Sequence, residues 1–456
     1  MDKKRQGQLS VGILFFSAIA LILVSGFVFL ATSFLQLSVR DINKTQAFAI
    51  AEAGIDYYRW HLAHAPQDFE DGTGHAGPYV HMYYDKDGTV LGQFSLAITP
   101  PSAGSTVVTV QSTGSVVADS SIQKIITVRF GIQSFAKYAW AEGASDVFGT
   151  GAEVFGPIYI NGGLHFDGIA HNLVQSSFTH YTDGGADQWG VYTTRGTDDP
   201  HYPTPLPSRP DVFMAGRNVG VPDLNFDKIS QDLVDIETAA SATGMYFASS
   251  GAKGYDLVFA TSGIFSVYTV NTTSTQGSCN YERWTVQTET LKATGTIPAN
   301  GDLFFDDNLW VRGQVQGKRV TVGAAHFPDN ISTRKNITVN SNLRYTNYDC
   351  SETVALIAQN NLNIGYSSDN NLRIDAALVA QNGSIGRDPF SAGSCGASST
   401  RNSLTMYGTF VDKLIRGLST YNTRTYVYDS NLLYCPPPSF PITTDQYTQI
   451  SWDEVQ

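Results

Sequence analysis

The stretch from Gln6 to Val39 carries no Asp, Glu, Lys or Arg. No other feature constrains the chain so strongly. A membrane-spanning helix needs about 20 apolar residues, and the core of a secretory signal is about 7–15. This segment is longer than both. It is also apolar on every face, which no helix of a soluble core requires. Lys3, Lys4 and Arg5 precede it, and Arg40 and Lys44 follow, with Asp41 between them. The positive-inside rule then predicts a single pass, with the N-terminus cytoplasmic and everything after about residue 40 outside. From Ser38 to Leu62 there is no Pro and one Gly, Gly54, so the helix is expected to continue past the membrane and stop near Pro66. A helix from Ser10 to Leu62 would be about 80 Å long.

The rest of the 456-residue chain reads as β. Charged residues are 15% of the sequence, against about 25% in an average soluble domain. With 42 Gly, 23 Tyr and 25 Phe, the profile is that of an exported β protein; disordered chains carry high charge and few aromatics. A net charge of −12 argues against a nucleic-acid partner, which needs a basic face. Between residues 79 and 134, segments such as QFSLAITP and STVVTVQSTGSVV alternate apolar and polar residues between turns, the period of an antiparallel sheet.

From residue 135 the character changes to short apolar runs divided by Gly and Asn. The tripeptide AQN occurs at Ala358–Asn360 and again at Ala380–Asn382, each after an apolar β run and before a Gly. That spacing of 22 residues suits one coil of a parallel β-solenoid. Eleven Asn fall between residues 301 and 371, and Asn can stack in ladders at solenoid corners. Residues 182–222 are Pro-rich and read as a loop insertion. Residues 223–240 have helical spacing at Phe226, Ile229, Leu233 and Ile236, which predicts one helix covering the solenoid.

A basic leader, a Gly, then a long apolar helix resembles the layout of type IV prepilins and pseudopilins. The segment Gln46–Tyr57, QAFAIAEAGIDY, resembles the AEAG signature of the PilX N-terminal class of type IV pilus biogenesis proteins, here Ala51, Glu52, Ala53 and Gly54. The resemblance covers residues 3–62. It implies leader cleavage between Gly7 and Gln8. Major pilins carry Glu at the fifth mature position; counted from Gln8, that position is Gly12. Tip-type minor pseudopilins share that gap, since no subunit lies above them. The stretch from Arg424 to Val455, with its YDSNLLYCPPPSFP run followed by Trp452, resembles the tail of large exported pilin-like proteins of the same class, with no chemistry attached to it.

Four cysteines, Cys279, Cys350, Cys395 and Cys435, lie in the portion expected outside. They are disulfide candidates with three possible connectivities, and their spacing is too wide for a zinc site. Asp302, Asp306 and Asp307 form the best acidic cluster for glycoside chemistry, but strand alternation would point Asp306 and Asp307 to opposite faces. His165, Asp167, His171 and His180 match no metal spacing.

The fold class expected is therefore mainly β: a leader-like segment 1–7, a transmembrane, pilin-like helix 8–64, an antiparallel region 79–134, and a β-solenoid-like body 135–456. The resemblance implies a minor or tip pilin-like subunit, or a pilus-assembly component, anchored in the inner membrane. It exposes a non-catalytic module for adhesion or assembly, with no cofactor, no metal and no nucleic acid. Partners implied are the inner membrane, other pilin-like subunits through the N-terminal helix, prepilin peptidase, and a surface glycan or a host or abiotic surface. The alternative is a membrane-anchored β-helix exoprotein that binds or cleaves envelope polysaccharide.

Overall fold

One helix, α1 (Lys3–His64), opens the chain. The computed structural model describes residues 3–101, 106–274, 284–390, 395, 400–418 and 420–455. Two compact units emerge: Met1–Pro100, Val108–Gly131 and Tyr447–Gln456 form the first, Pro101–Val107 and Ile132–Gln446 the second.

In the first unit, α1 ends at His64 because Pro66 disfavours helical dihedrals at Ala65. A small antiparallel sheet packs on its second half. Strands β1 (Tyr79–Tyr84), β2 (Val90–Thr99), β3 (Val108–Val116) and β4 (Asp119–Ser134) are neighbours in that order, and the C-terminal strand Ile442–Val455 follows β4. The last residues of the chain thus return to this sheet, outside the 135–456 body drawn from the sequence. Alternation in β2 buries Phe94 and Leu96. Opposite them, Ala47, Ile50, Ala51, Ile55, Tyr58 and Leu62 make one buried stripe along α1.

The second unit is a stack of parallel rungs. On its first face the register partners run Leu303, Val322, Leu356, Leu378, Phe410, Trp140, Ile158, Val174. The two AQN copies lie one above the other, Ala358 opposite Ala380. Asparagines climb one corner. Asn308 Oδ1 accepts from the Asn336 amide at 3.0 Å; Asn336 Oδ1 accepts from Asn361 N at 3.1 Å; Asn361 Oδ1 accepts from Ser384 N at 3.0 Å.

The order of that ladder departs from the order of the chain. Rungs from residue 140 to 219 start in the middle of the stack and build outward. The chain then crosses back, and the rungs from 245 to 412 build inward until Phe410 meets Trp140. The crossing segment contains α2 (Lys228–Ala242), whose Ile229, Leu233, Ile236 and Ala240 pack on the outer side of the first face, against Ile357, Val379 and Val411. This explains why the strand Thr353–Ala358 is buried at every position and reads as a continuous apolar run. α2 begins at 228 and not at 223, because Asn161 holds Leu224 extended through both its backbone N–H (2.8 Å) and its carbonyl (2.7 Å). The Pro-rich segment is not all loop: it includes the hairpin His180–Asp183 with Ala186–Trp189 and the rung strands Val191–Tyr192 and Arg217–Val219. The buried Asp199 organises it by accepting from Arg217 at 2.5 Å and Arg209 at 3.3 Å.

Candidate functional site

α1 is built of two physically different halves. Its first half contains a segment long and apolar enough to cross a membrane. Among its side chains, Leu14, Phe16, Ile22, Phe27, Phe29 and Phe34 are all exposed. Hydroxyls there bond back to the helix's own carbonyls, Ser17 to Ile13 at 2.7 Å and Thr32 to Val28 at 3.0 Å. Such bonds satisfy these two hydroxyls within the helix itself, as a lipid environment favours.

The second half holds the AEAG residues, and the sheet accounts for their small size. Ala51 is fully buried and Gly54 is buried; Glu52 is exposed and Ala53 half-buried. A Cβ on Gly54 would strike the Ser112 hydroxyl and the Phe94 ring. On the facing strand, a Cβ on Gly114 would strike the backbone of Ala47 and Ala51. Helix and strand backbones therefore touch at this point, and only the smallest residues fit. Gly7 and Gln8 lie in the first turns of α1.

Cys350 and Cys435 form a disulfide with Cα atoms 5.6 Å apart. Cys395 is also disulfide-bonded, and Cys279 lies outside the described residues. The tail segment after Tyr428 is a packing element: Leu432 and Phe440 join α2 over the first face, and Thr321 donates to the Pro438 carbonyl.

The acidic cluster is dispersed among separate partners, and of the histidine cluster His165 and Asp167 meet while His171 and His180 pair elsewhere. Asp302 accepts from Ser439 at 3.1 Å, Asp306 meets His326 at 2.6 Å, and Asp307 accepts from Ser250 at 2.6 Å. His165 lies 3.1 Å from Asp167, His171 pairs with Glu153 and His180 with Asp187.

Two carboxylate sites escape the sequence reading. At the meeting of the two rung series, Asp412 stacks in register on Glu142. Both are buried, and burial pushes both carboxyls well above their ordinary range, with each other's charge and that of Asp146 adding to the effect on Glu142. The second lies in a cleft of about 330 Å³ between the strand Val286–Thr296 and the rungs at Trp310, Thr338 and Asn340. There Arg312 donates to Asp256 at 2.9 Å and to Glu289 at 3.2 Å. Burial pushes the Asp256 carboxyl up to about 7, although Arg312 opposes this. The one available signal is a charged residue inside the apolar strand Gly254–Phe259, at Asp256.

The chain matches no protein-family model and no curated protein. Among solved structures it is similar to the competence-associated pilin ComZ from Thermus thermophilus, at 13% identity and a TM-score of 0.34, over 91% of this chain and 97% of that one. A likeness of that degree carries no argument about what this chain does.

Proposed function

We propose that the chain is a type IV pilin-like minor or tip subunit, or a pilus-assembly component, anchored by α1 in the inner membrane with both units outside. The observation that carries this reading is the division of α1. Its first half has no partner for its apolar surface within the described residues, while its second half is seated on a small sheet through the AEAG residues. A bilayer covers the first half before assembly, and neighbouring helices cover it in a fibre. Gly12, Ser17, Ala18, Ala20, Ser25 and Gly26 are the small residues that let such helices approach closely. A Cβ on Gly12 would meet nothing within 4 Å, so glycine at this position, where major pilins carry Glu, is not demanded by the chain's own packing.

In this reading prepilin peptidase cuts between Gly7 and Gln8, and the second unit is a non-catalytic display module. Gly7→Leu tests it. Processing and recovery in sheared surface material should both be lost, with the variant retained in membranes at its full length. A variant that reaches the sheared fraction as efficiently as the parent would contradict the proposal.

A further inference from the structure

The cleft beside Arg312 has a composition that narrows its ligand. Its walls supply Gln287, Thr338, Asn340, Ser341 and Ser367, all neutral groups that donate or accept hydrogen bonds. Its charges cancel locally. The Arg312 guanidinium is shared by the Asp256 and Glu289 carboxyls, and these two lie within hydrogen-bonding reach of each other. Asp256 Oδ1 and Glu289 Oε2 are closed to solvent, and no donor reaches either. An inorganic anion would meet the carboxyls, and a cation would meet the guanidinium. A hydroxyl suits both, because it donates to the carboxyl and accepts from the guanidinium. The Trp310 indole forms part of the wall, its Nε1 donating to the Trp284 carbonyl at 2.9 Å. Arg312 and Gln287 are exposed at the mouth, so the cleft is reachable from solvent. The volume lies at the lower end of the range of about 300–1,000 Å³ usual for small-molecule sites.

We infer that this cleft binds a neutral saccharide, with the Arg312 guanidinium and Glu289 Oε1 taking a ring hydroxyl, Asp256 holding Arg312 in place from beneath, and the amide and hydroxyl side chains fixing the sugar's orientation. The site lies wholly in the second unit. It therefore stands or falls separately from the processing of α1.

The test uses the full chain in a zwitterionic detergent without a sugar headgroup, since a maltoside would compete. Maltotetraose, cellotetraose, chitotetraose and galactotetraose are titrated one by one, with calorimetry and tryptophan fluorescence as readouts. At least one is expected to bind. Arg312→Ala should then weaken it by at least about tenfold, the loss typical of a central charged contact. Ser341→Trp, which fills the cleft from a half-buried position, should abolish binding while leaving the far-ultraviolet circular dichroism unchanged. No binding by any of the four at millimolar concentration overturns the inference. So does binding that is indifferent to Ser341→Trp and to Gln287→Ala, which would place the sugar elsewhere.

Discussion

Phe410→Ala strikes a point where the outgoing and returning rungs meet. The Phe410 ring lies on the Trp140 ring with centroids 4.1 Å apart and planes 3° from parallel. Both side chains are buried in the core of the second unit, and Trp140 is further wedged by Phe148 and Tyr426 at 4.8 and 5.1 Å. Truncating a buried Phe costs about 3–5 kcal/mol, from lost transfer energy and the cavity left behind. The surrounding rungs are fixed by their hydrogen-bonded ladders and cannot collapse into the gap, which favours the upper part of that range. An aromatic pair adds about 0.5–1.5 kcal/mol beyond burial, and a double-mutant cycle isolates this as coupling. The assay is urea unfolding of the parent, Phe410→Ala, Trp140→Ala and the double variant, followed by tryptophan fluorescence in the variants that keep Trp140 and by circular dichroism in all four. We expect a loss of about 4 kcal/mol for Phe410→Ala and a coupling of about 1 kcal/mol. A loss below about 1 kcal/mol, or strict additivity, would refute the stacking of residue 410 on residue 140 and with it the inverted rung order.

Gly54→Leu should destabilise the first unit by about 1–3 kcal/mol or more through overpacking against Phe94 and Ser112, seen as faster proteolysis within β2 and β3. Glu142 and Asp412 hold their protons more tightly folded than unfolded, so their contribution is present at low pH and is lost as pH rises through their raised values. The urea midpoint of the parent should therefore fall relative to that of Asp412→Asn as pH rises above the ordinary carboxylate range; parallel curves would contradict the buried pairing. Replacing Cys350 and Cys435 by Ser opens a crosslink spanning 85 residues and should cost about 4–5 kcal/mol on the chain-entropy account, checked by the unfolding midpoint with and without reductant.

Much of the architecture is written locally. The charge-free run and the alternation of β2 are consequences of neighbours close in sequence, whereas Ala47, Ala51 and Gly54 are legible as a motif although their small size answers to Phe94, Ser112 and Gly114 on the distant strands. The AQN pair is legible because a single coil happens to separate its copies without insertion. Elsewhere the coils vary: Trp140, Ile158 and Val174 are 18 and 16 residues apart, whereas Ala377 and Thr409 are 32 apart. Uneven corner loops erase the period. The inverted rung order leaves no local trace at all, because it depends on which strand edge Phe410 finds. The cleft is hidden for the same reason. Asp256, Glu289 and Arg312 are distant along the chain, and each alone is an ordinary charged residue in a strand.

The most direct test of the pilin-like reading is the mass of the mature N-terminal peptide, taken from membranes and from sheared surface material. The account predicts a chain that begins at Gln8 in both. A chain that still begins at Met1 and is confined to membranes would contradict it, leaving a tethered β-rich protein whose helix serves only as an anchor.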